Sequence, residues 1–349
     1  MLSRQFPGLR GIAILLVVLN HAIALSLVAA QEYGARAPSQ PAWVILQALR
    51  TLGLVAVPIF LFLSGSYLTY AARGKSLGVS YRTILLSLRH ILVPYALWSV
   101  VFYGLVYLLR NETYSLFGYF KNLLVGYPFE YVPLAVFCYL LAPFIIRAGE
   151  KHPGRLIAAV AAYQLFAACA IKPGLLGFDM PQWARLLTIP GLRTTIALWA
   201  VFFPLGVVYS LHSASLTPAL RRVGWLLVVG AAVCYGTAVI GSLGAFDPAV
   251  PSLLAPVFGV LLLPLIRRET IPAVEVLESI GRRAYGLYLT NLVFLSLALL
   301  GIGVGLPWLF SQLLVLVPLI FVLTTLALQA LIGAMERTPV PAFRRYVFG

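Results

Sequence analysis

The amino-acid sequence predicts an all-α fold, a polytopic transmembrane bundle of about ten helices with both termini in the cytoplasm. Of the 349 residues, 61% are hydrophobic and only 10% are charged, and the mean hydropathy is +0.97. A soluble domain carries about 25% charged residues, so a soluble enzyme and a disordered chain are both excluded. Long apolar stretches recur along the chain, and the basic residues concentrate in alternate loops between them.

Ten apolar stretches are bounded by charges, Pro or Gly, and each is predicted to cross the membrane. Because lipid offers no hydrogen-bond partners, a spanning segment must pair its own backbone groups, which favours helices over strands. A span needs about 20 apolar residues, and about 17 suffice where the bilayer is thin. The predicted spans are 11–30, 45–71, 84–109, 131–147, 156–171, 191–210, 223–243, 252–266, 284–305 and 307–335. No soluble insert separates them, so residues 1–349 are predicted to form one transmembrane domain.

The distribution of Lys and Arg sets the predicted orientation. The formal net charge is +15, and with the N-terminus inside, 18 of the 25 basic residues fall at cytoplasmic ends of the spans. The remaining seven, at outer ends, are Arg36, Arg50, Arg110, Lys121, Lys172, Arg185 and Arg193. This excess follows the positive-inside rule, which explains the basic charge without nucleic acid as a partner.

Arg10 and His21 on the first predicted helix form the most informative pair. They are 11 residues apart, which at 100° per residue is three turns plus about 20°, so both side chains share one face. The rise between them is about 16 Å, half of a hydrocarbon core of about 30 Å. Arg10 is therefore predicted at the cytoplasmic mouth and His21 near the midplane. An ionisable group at that depth indicates function, with a histidine that only bonds a neighbouring helix as the alternative.

The segment FPGLRGIAILLVVLNHAI at residues 6–23 resembles the first helix of the membrane acyltransferase 3 family, which carries a basic residue, ten others and then His. Later blocks resemble that family in the same order along the chain. They are VPIFLFLSG at 57–65, RHILVPY at 89–95 with Trp98, SIG to YLTN at 279–291, and Glu336-Arg337 with Pro339. On this resemblance, the predicted domain is a single transmembrane acyltransferase domain.

The family resemblance implies an integral membrane O-acyltransferase in the bacterial inner membrane. It implies transfer of an acyl group, often acetyl, from cytoplasmic acyl-CoA to a hydroxyl of a cell-surface polysaccharide, lipid-linked glycan or other exported molecule. The resemblance thus makes acyl-CoA the expected donor substrate, and because the sequence contains no metal motif, no metal is expected. Such a transfer needs a base near the hydroxyl, and neutral His is the usual base near pH 7. His21 is accordingly the predicted catalytic base.

The predicted donor-binding residues lie near the cytoplasmic side of the bundle. Coenzyme A carries several phosphates, which Arg binds through its bidentate fork. Arg10, Arg82 and Arg89 are predicted to form that cationic entrance. The alternative, above all for Arg82, is that these residues only follow the positive-inside rule and bind no ligand. Ser64 and Gly65 are predicted to contact the thioester and the pantetheine arm, with a small-residue helix contact as the alternative.

The predicted acceptor-binding residues are Glu130, Tyr95, Trp98, Tyr288 and Asn291. Two of these positions depart from the family pattern. Glu130 stands in a block, residues 128–133, where many members have a His-x-Trp-like motif, and Asn291 replaces a frequent His. An Asn keeps a hydrogen bond but does not titrate. The alternative for Glu130 is a loop carboxylate without a role in binding, and the alternative for Tyr95 and Trp98 is aromatic packing. The sequence leaves open which group orients His21.

Two other functions fit the same composition. A transporter or flippase of a polar lipid or glycan intermediate would suit ten kinked helices, but the sequence shows no inverted repeats and intramembrane carboxylates are sparse. A non-catalytic subunit of a polysaccharide export complex is the third possibility, and it predicts no loss of function when His21 alone is changed.

Overall fold

The computed structural model describes residues 6–72, 81–177, 179–336 and 346–349, and within these ranges every regular element is helical. Fifteen α-helices, numbered in chain order, are joined by short loops and 3-10 turns. They are α1 Phe6–Glu32, α2 Gln40–Leu52, α3 Ala56–Ala72, α4 Tyr81–Arg110, α5 Leu116–Val125, α6 Tyr131–Lys151, α7 Pro153–Ile171, α8 Arg193–Trp199, α9 Phe202–Leu211, α10 Ser213–Arg222, α11 Gly224–Ser242, α12 Ala249–Leu262, α13 Val274–Arg282, α14 Ala284–Gly305 and α15 Leu313–Glu336.

The prediction of a polytopic helical bundle is confirmed, with a smaller number of long spans than the ten stretches predicted. In the described part of the chain, eight helical segments are long and apolar enough to cross a membrane, and a ninth arises if α8 and α9 form one span. These two helices meet at an angle of 43° across the break at 200–201. The predicted span 191–210 is therefore a bent pair rather than one continuous helix.

The predicted span 252–266 corresponds to α12 and a following 3-10 turn, together 17 residues, which is shorter than the other spans. It pairs with α11 as an antiparallel hairpin. Gly241 near the end of α11 lies against Pro248, and Gly224 at its beginning lies against Leu265. The short segment, about 25 Å long at 1.5 Å per residue, therefore runs back along α11 from its end to its beginning.

Two helix crossings bring backbones into direct contact through glycine. A Cβ at Gly65 of α3 would overlap the carbonyl oxygen of Phe203 in α9, and a Cβ at Gly206 of α9 would overlap that of Phe62 in α3. Gly11 of α1 and the short helix α13 make a similar approach. Close backbone approach through small residues is a common way for membrane helices to associate. These crossings fix α1 and α3, the helices that carry most of the predicted donor residues.

Helix α5 packs beside α4 with none of its residues fully buried, whereas the loop after it, residues 126–130, inserts Phe129 into the bundle. The Tyr95 hydroxyl donates to the carbonyl of Leu123 at 2.5 Å, and the Tyr103 hydroxyl donates to that of Tyr127 at 2.7 Å. Phe129, at the centre of the loop, is fully buried. Two tyrosines of α4 thus hold α5 and the loop that inserts Phe129, an arrangement that the hydropathy pattern did not predict.

Ion pairs of the described residues agree with the predicted alternation of loops. Glu32 pairs with Arg110 at 3.2 Å and Lys172 with Asp247 at 2.5 Å, and all four residues lie in loops or helix ends predicted on the outer side. On the side predicted to be cytoplasmic, Arg268 pairs with Glu278 at 2.6 Å. Which end of the bundle faces the cytoplasm stays a prediction from the charge distribution.

Candidate functional site

His21 and Asn291 meet inside the bundle, although 270 residues separate them in sequence. The Nδ1 atom of His21 lies 2.6 Å from Oδ1 of Asn291, within a short hydrogen bond. Asn291 is fully buried in α14, whereas His21 of α1 is half-buried. The structure therefore joins the predicted base to a residue that the sequence assigned to the acceptor side. It also supplies the orienting group that the sequence left open.

The amide of Asn291 is bonded on its other side to its own helix. Its Nδ2 atom donates to the carbonyl oxygens of Leu287 at 3.0 Å and Tyr288 at 2.6 Å. Asn20, the other polar neighbour of His21 in sequence, points away and donates to the carbonyl of Arg50 at 3.2 Å. The contact of His21 is thus with α14, while Asn20 serves the junction of α2 and α3.

Arg10 lies near the beginning of α1, partly exposed, with its guanidinium 5.6 Å from the ring centroid of Tyr67. It also interacts electrostatically with the phenols of Tyr131 and Tyr139 on α6. A cation stacked on one ring and facing two further hydroxyls keeps donors available for an anionic ligand.

Ser64 stands in a cluster of phenols between Arg10 and Asn291. Its hydroxyl is 3.4 Å from that of Tyr131 and also interacts electrostatically with the phenol of Tyr139. The Tyr131 ring in turn packs edge-on against Tyr288 at 5.7 Å between centroids. Since Tyr288 precedes Asn291 by one turn of α14, a continuous series of side chains links the two ends of the site.

The sequence did not single out Tyr131 and Tyr139 as site residues. Tyr131 stands beside Glu130 in the block that departs from the family pattern, which was the available signal. Tyr139 follows two turns later on α6, at a spacing of eight residues that keeps both phenols on one face. Their contact with Ser64 arises only when α6 packs against α3.

Gly65 has a packing role in the structure. Because the backbone of α9 fills the space beside its Cα, a pantetheine arm has no room on that side. The helix-contact alternative thus describes Gly65, and the predicted close approach of the donor there is corrected. Ser64, whose side chain points into the phenol cluster, is the member of this pair that faces the site.

Arg89 lies on the exposed face of α4, and its guanidinium is 5.2 Å from the ring centroid of Tyr346 near the end of the chain. The Arg82 side chain and residues Arg337 and Pro339 lie outside the part of the chain that the structure describes. The predicted ring of three arginines therefore stays a prediction, with Arg10 as its best-placed member.

Tyr95, Trp98 and Glu130 take positions that their predicted acceptor role does not explain. The Tyr95 hydroxyl is bonded to Leu123, as described above, and Trp98 donates from Nε1 to the carbonyl of Val347 at 2.8 Å. Glu130 is exposed at the beginning of α6, next to the buried Phe129. Tyr95 and Trp98 thus hold neighbouring segments in place, whereas Glu130 is open to an incoming molecule.

A cavity of about 350 Å³ begins one helical turn beyond His21, on the side opposite Arg10. Leu25 and Leu292 lie at its inner end, since they follow His21 by one turn and Asn291 by one residue. Its outer end carries the ion pair of Glu32 and Arg110. The walls are mostly apolar and include Ala29, Phe102, Leu105, Leu109, Leu299 and Leu300. The cavity thus has an apolar body with a charged rim.

Comparison with known protein families identifies the family of this chain. The acyltransferase 3 family model, described as an acyltransferase domain, matches residues 5–332, nearly the whole chain. The chain belongs to the acyltransferase 3 family. No curated protein and no solved structure gives a significant match.

Family membership and the long apolar helices together identify a multi-pass membrane acyltransferase. Within this family assignment, His21 and Asn291 form the part of the candidate site with the best-defined contacts. The hydroxyl cluster around Ser64 adjoins it on one side, and the cavity adjoins it on the other.

Proposed function

We propose that this membrane acyltransferase moves an acyl group, with acetyl as the expected group, from acyl-CoA to a hydroxyl of a cell-surface polysaccharide or lipid-linked glycan. The observation that carries the proposal is the position of His21. Its ring is held by Asn291, which follows Tyr288 beside the phenol cluster by one turn of α14, and Leu25 at the inner end of the cavity follows His21 by one turn of α1. A base needs to reach the reacting hydroxyl and the thioester at the same time, and this position supports both contacts.

The proposed reaction uses His21 as general base. The imidazole accepts the proton of the acceptor hydroxyl while the hydroxyl oxygen attacks the thioester carbonyl carbon. The carbon–sulfur bond then breaks, and the coenzyme A thiolate takes the proton back from the imidazolium. The products are the acyl ester and coenzyme A thiol. Hydroxyl groups of Ser64 and Tyr131 are suited to donate hydrogen bonds to the carbonyl oxygen as negative charge develops on it.

The donor is proposed to enter at Arg10. The partly exposed guanidinium suits a phosphate of coenzyme A, and the distance of about 16 Å along α1 to His21 matches an extended pantetheine arm in length. The series of phenols and Ser64 that begins beside Arg10 supplies polar groups for the amides of that arm. This route keeps the charged nucleotide outside the hydrocarbon core of the membrane.

The acceptor is proposed to enter from the other side, through the cavity. Its apolar walls and charged rim suit an amphipathic molecule, such as a lipid-linked glycan, with a hydroxyl that reaches inward. With the donor at the cytoplasmic end, the acyl group would pass to the outer face of the bacterial inner membrane without a separate carrier.

Sealed, oriented proteoliposomes test this function. Acyl-CoA is supplied only on the side of Arg10, and an impermeant hydroxyl acceptor is supplied only on the other side. Ester product that depends on the protein and is lost in His21→Ala is the expected result. Product that forms only when both substrates share the Arg10 side would contradict the two-sided route. Transport of a lipid or glycan without thioester consumption would favour the flippase alternative.

A further inference from the structure

The orientation of the Asn291 side-chain amide is fixed by its own helix. Both protons of Nδ2 point to backbone carbonyl oxygens, those of Leu287 and Tyr288. A carbonyl oxygen accepts hydrogen bonds and never donates them. Turning the amide over would set Oδ1 against two acceptors at 3.0 and 2.6 Å, so this orientation is excluded. The atom that Asn291 presents to His21 is therefore its carbonyl oxygen.

This orientation determines which imidazole nitrogen carries the proton. Oδ1 of Asn291 has no proton to give, so the 2.6 Å bond exists only if Nδ1 of His21 donates. In a neutral imidazole, one nitrogen carries the hydrogen and the other keeps a lone pair. We propose that Asn291 is a positioning residue that holds His21 in the Nδ1–H tautomer, so that Nε2 is the nitrogen that accepts the proton. The inference rests on the proposed function, in which His21 is the base.

The surroundings of the pair support a single tautomer. Asn291 is fully buried, so water does not replace its oxygen as the acceptor. Asn20 does not compete, because its amide is engaged with Arg50. An amide also differs from a carboxylate in this position, since it directs the proton to Nδ1 without adding a negative charge beside the ring. The replacement of the family's frequent His by Asn291 thus preserves an acceptor at this point.

Nitrogen NMR of the protein labelled with ¹⁵N-histidine reads the tautomer directly. Protonated and unprotonated imidazole nitrogens have well-separated ¹⁵N chemical shifts. The His21 signals are assigned by their loss in His21→Gln. We expect protonated Nδ1 and bare Nε2 for His21 at a pH where the ring is neutral. A His21 ring with protonated Nε2 would overturn the inference. Because this measurement needs no turnover, its failure is distinct from a failure of the proposed function, which His21→Ala with full activity would reveal.

Two substitutions that keep the branching of the side chain at Cγ separate positioning from packing. Asn291→Leu removes the acceptor oxygen, whereas Asn291→Asp keeps one at the same place. The second carboxyl oxygen in Asn291→Asp would face the carbonyls of Leu287 and Tyr288, so we expect it to carry a proton and to donate as Nδ2 of Asn291 does. We expect Asn291→Leu to lower kcat at least tenfold with an unchanged donor KM, and to give a mixture of His21 tautomers. In a Ser-His-Asp triad, loss of the group that fixes the tautomer lowers kcat by about 10⁴-fold, and this value is the upper end of the decrease expected for Asn291→Leu.

The acceptor-retaining variant is the matched control. Asn291→Asp should keep protonated Nδ1 and exceed the kcat of Asn291→Leu by several fold. Equal turnover in both variants, or an unchanged tautomer in Asn291→Leu, would contradict the inference. If Asn291→Leu does not fold, the tautomer of the wild-type ring and the Asn291→Asp variant still decide the question.

Discussion

Replacing Arg10 by Ala is expected to weaken binding of the acyl-CoA donor while leaving turnover at saturation nearly unchanged. The guanidinium is proposed to bind a phosphate about 16 Å from the reacting carbonyl, so its contact is the same in the ground state and the transition state. A hydrogen bond to a charged group contributes about 1.5–3 kcal/mol, equivalent to a rise in donor KM of about 10- to 150-fold. Because Arg10 is partly exposed, water and salt screen the contact and favour the lower part of that range.

The contact of Arg10 with Tyr67 does not enter this magnitude. A cation–π pair at an exposed site contributes about 0.5–1 kcal/mol, and its loss affects the free energy of unfolding rather than donor binding. Arg10→Lys keeps the charge but loses the planar fork, so its donor KM should lie between those of the wild type and Arg10→Ala.

Initial rates of coenzyme A thiol release, at varied acyl-CoA and saturating acceptor, measure both constants. Arg147→Ala is the matched control, because Arg147 is an exposed arginine at the end of α6, on the same predicted side. An equal rise of donor KM in this control would mean that overall charge, and not the position of Arg10, attracts the donor. A donor KM unchanged in Arg10→Ala would refute the proposed entrance.

Three further predictions address the base, the packing and the pH dependence. His21→Ala should lower turnover by about 10²–10⁴-fold with normal membrane insertion, and full activity with an identified acceptor would exclude His21 as the base. Gly206→Val should reduce the yield of folded protein on size-exclusion chromatography, because its Cβ would overlap the backbone of α3; an unchanged yield would show that α3 and α9 can separate. The hydrogen bond from Arg268 lowers the pKa of Glu278 below its ordinary value, so the pair stabilises the fold above pH 4.5 and loses this effect as the pH falls through the lowered pKa. Melting temperatures of wild type and Glu278→Gln should therefore converge on acidification, and a constant difference would contradict this assignment.

The sequence predicted the spans well because burial in lipid imposes a long apolar run on each of them. It located less well the points where a helix breaks, such as 200–201 between α8 and α9. The hydropathy of 193–211 does not change at that break, and the signal there is Pro204, a mid-span proline that predicts a kink because it lacks the N–H that would pair with the carbonyl of Ala200. The insertion of the loop at 126–130 was missed for a related reason. Its retention depends on hydroxyls of Tyr95 and Tyr103 that belong to another helix.

For the candidate site, helical periodicity placed Arg10 and His21 on one face of α1, and the family blocks drew attention to Ser64, Tyr288 and Asn291. The partners of these residues were beyond such reasoning. The bond between His21 and Asn291 closes over 270 residues and depends on how α1 packs against α14. No local sequence pattern indicates a contact between residues so far apart in the chain. The corrected role of Gly65 has the same origin, because α9 occupies the space that the sequence left free.

The aromatic packing around the inward loop has a consequence for the energetics of the cell. An enzyme that admits one substrate from each side of a membrane risks a continuous aqueous path, through which protons would flow and dissipate the transmembrane potential. Phe129 is wholly buried, with Tyr95, Phe102 and Tyr288 at 5.9–6.3 Å from its ring centroid. Such a layer of rings around Phe129 excludes water from this part of the bundle. In the proposed two-sided reaction, this part of the molecule insulates the membrane while acyl groups cross beside it.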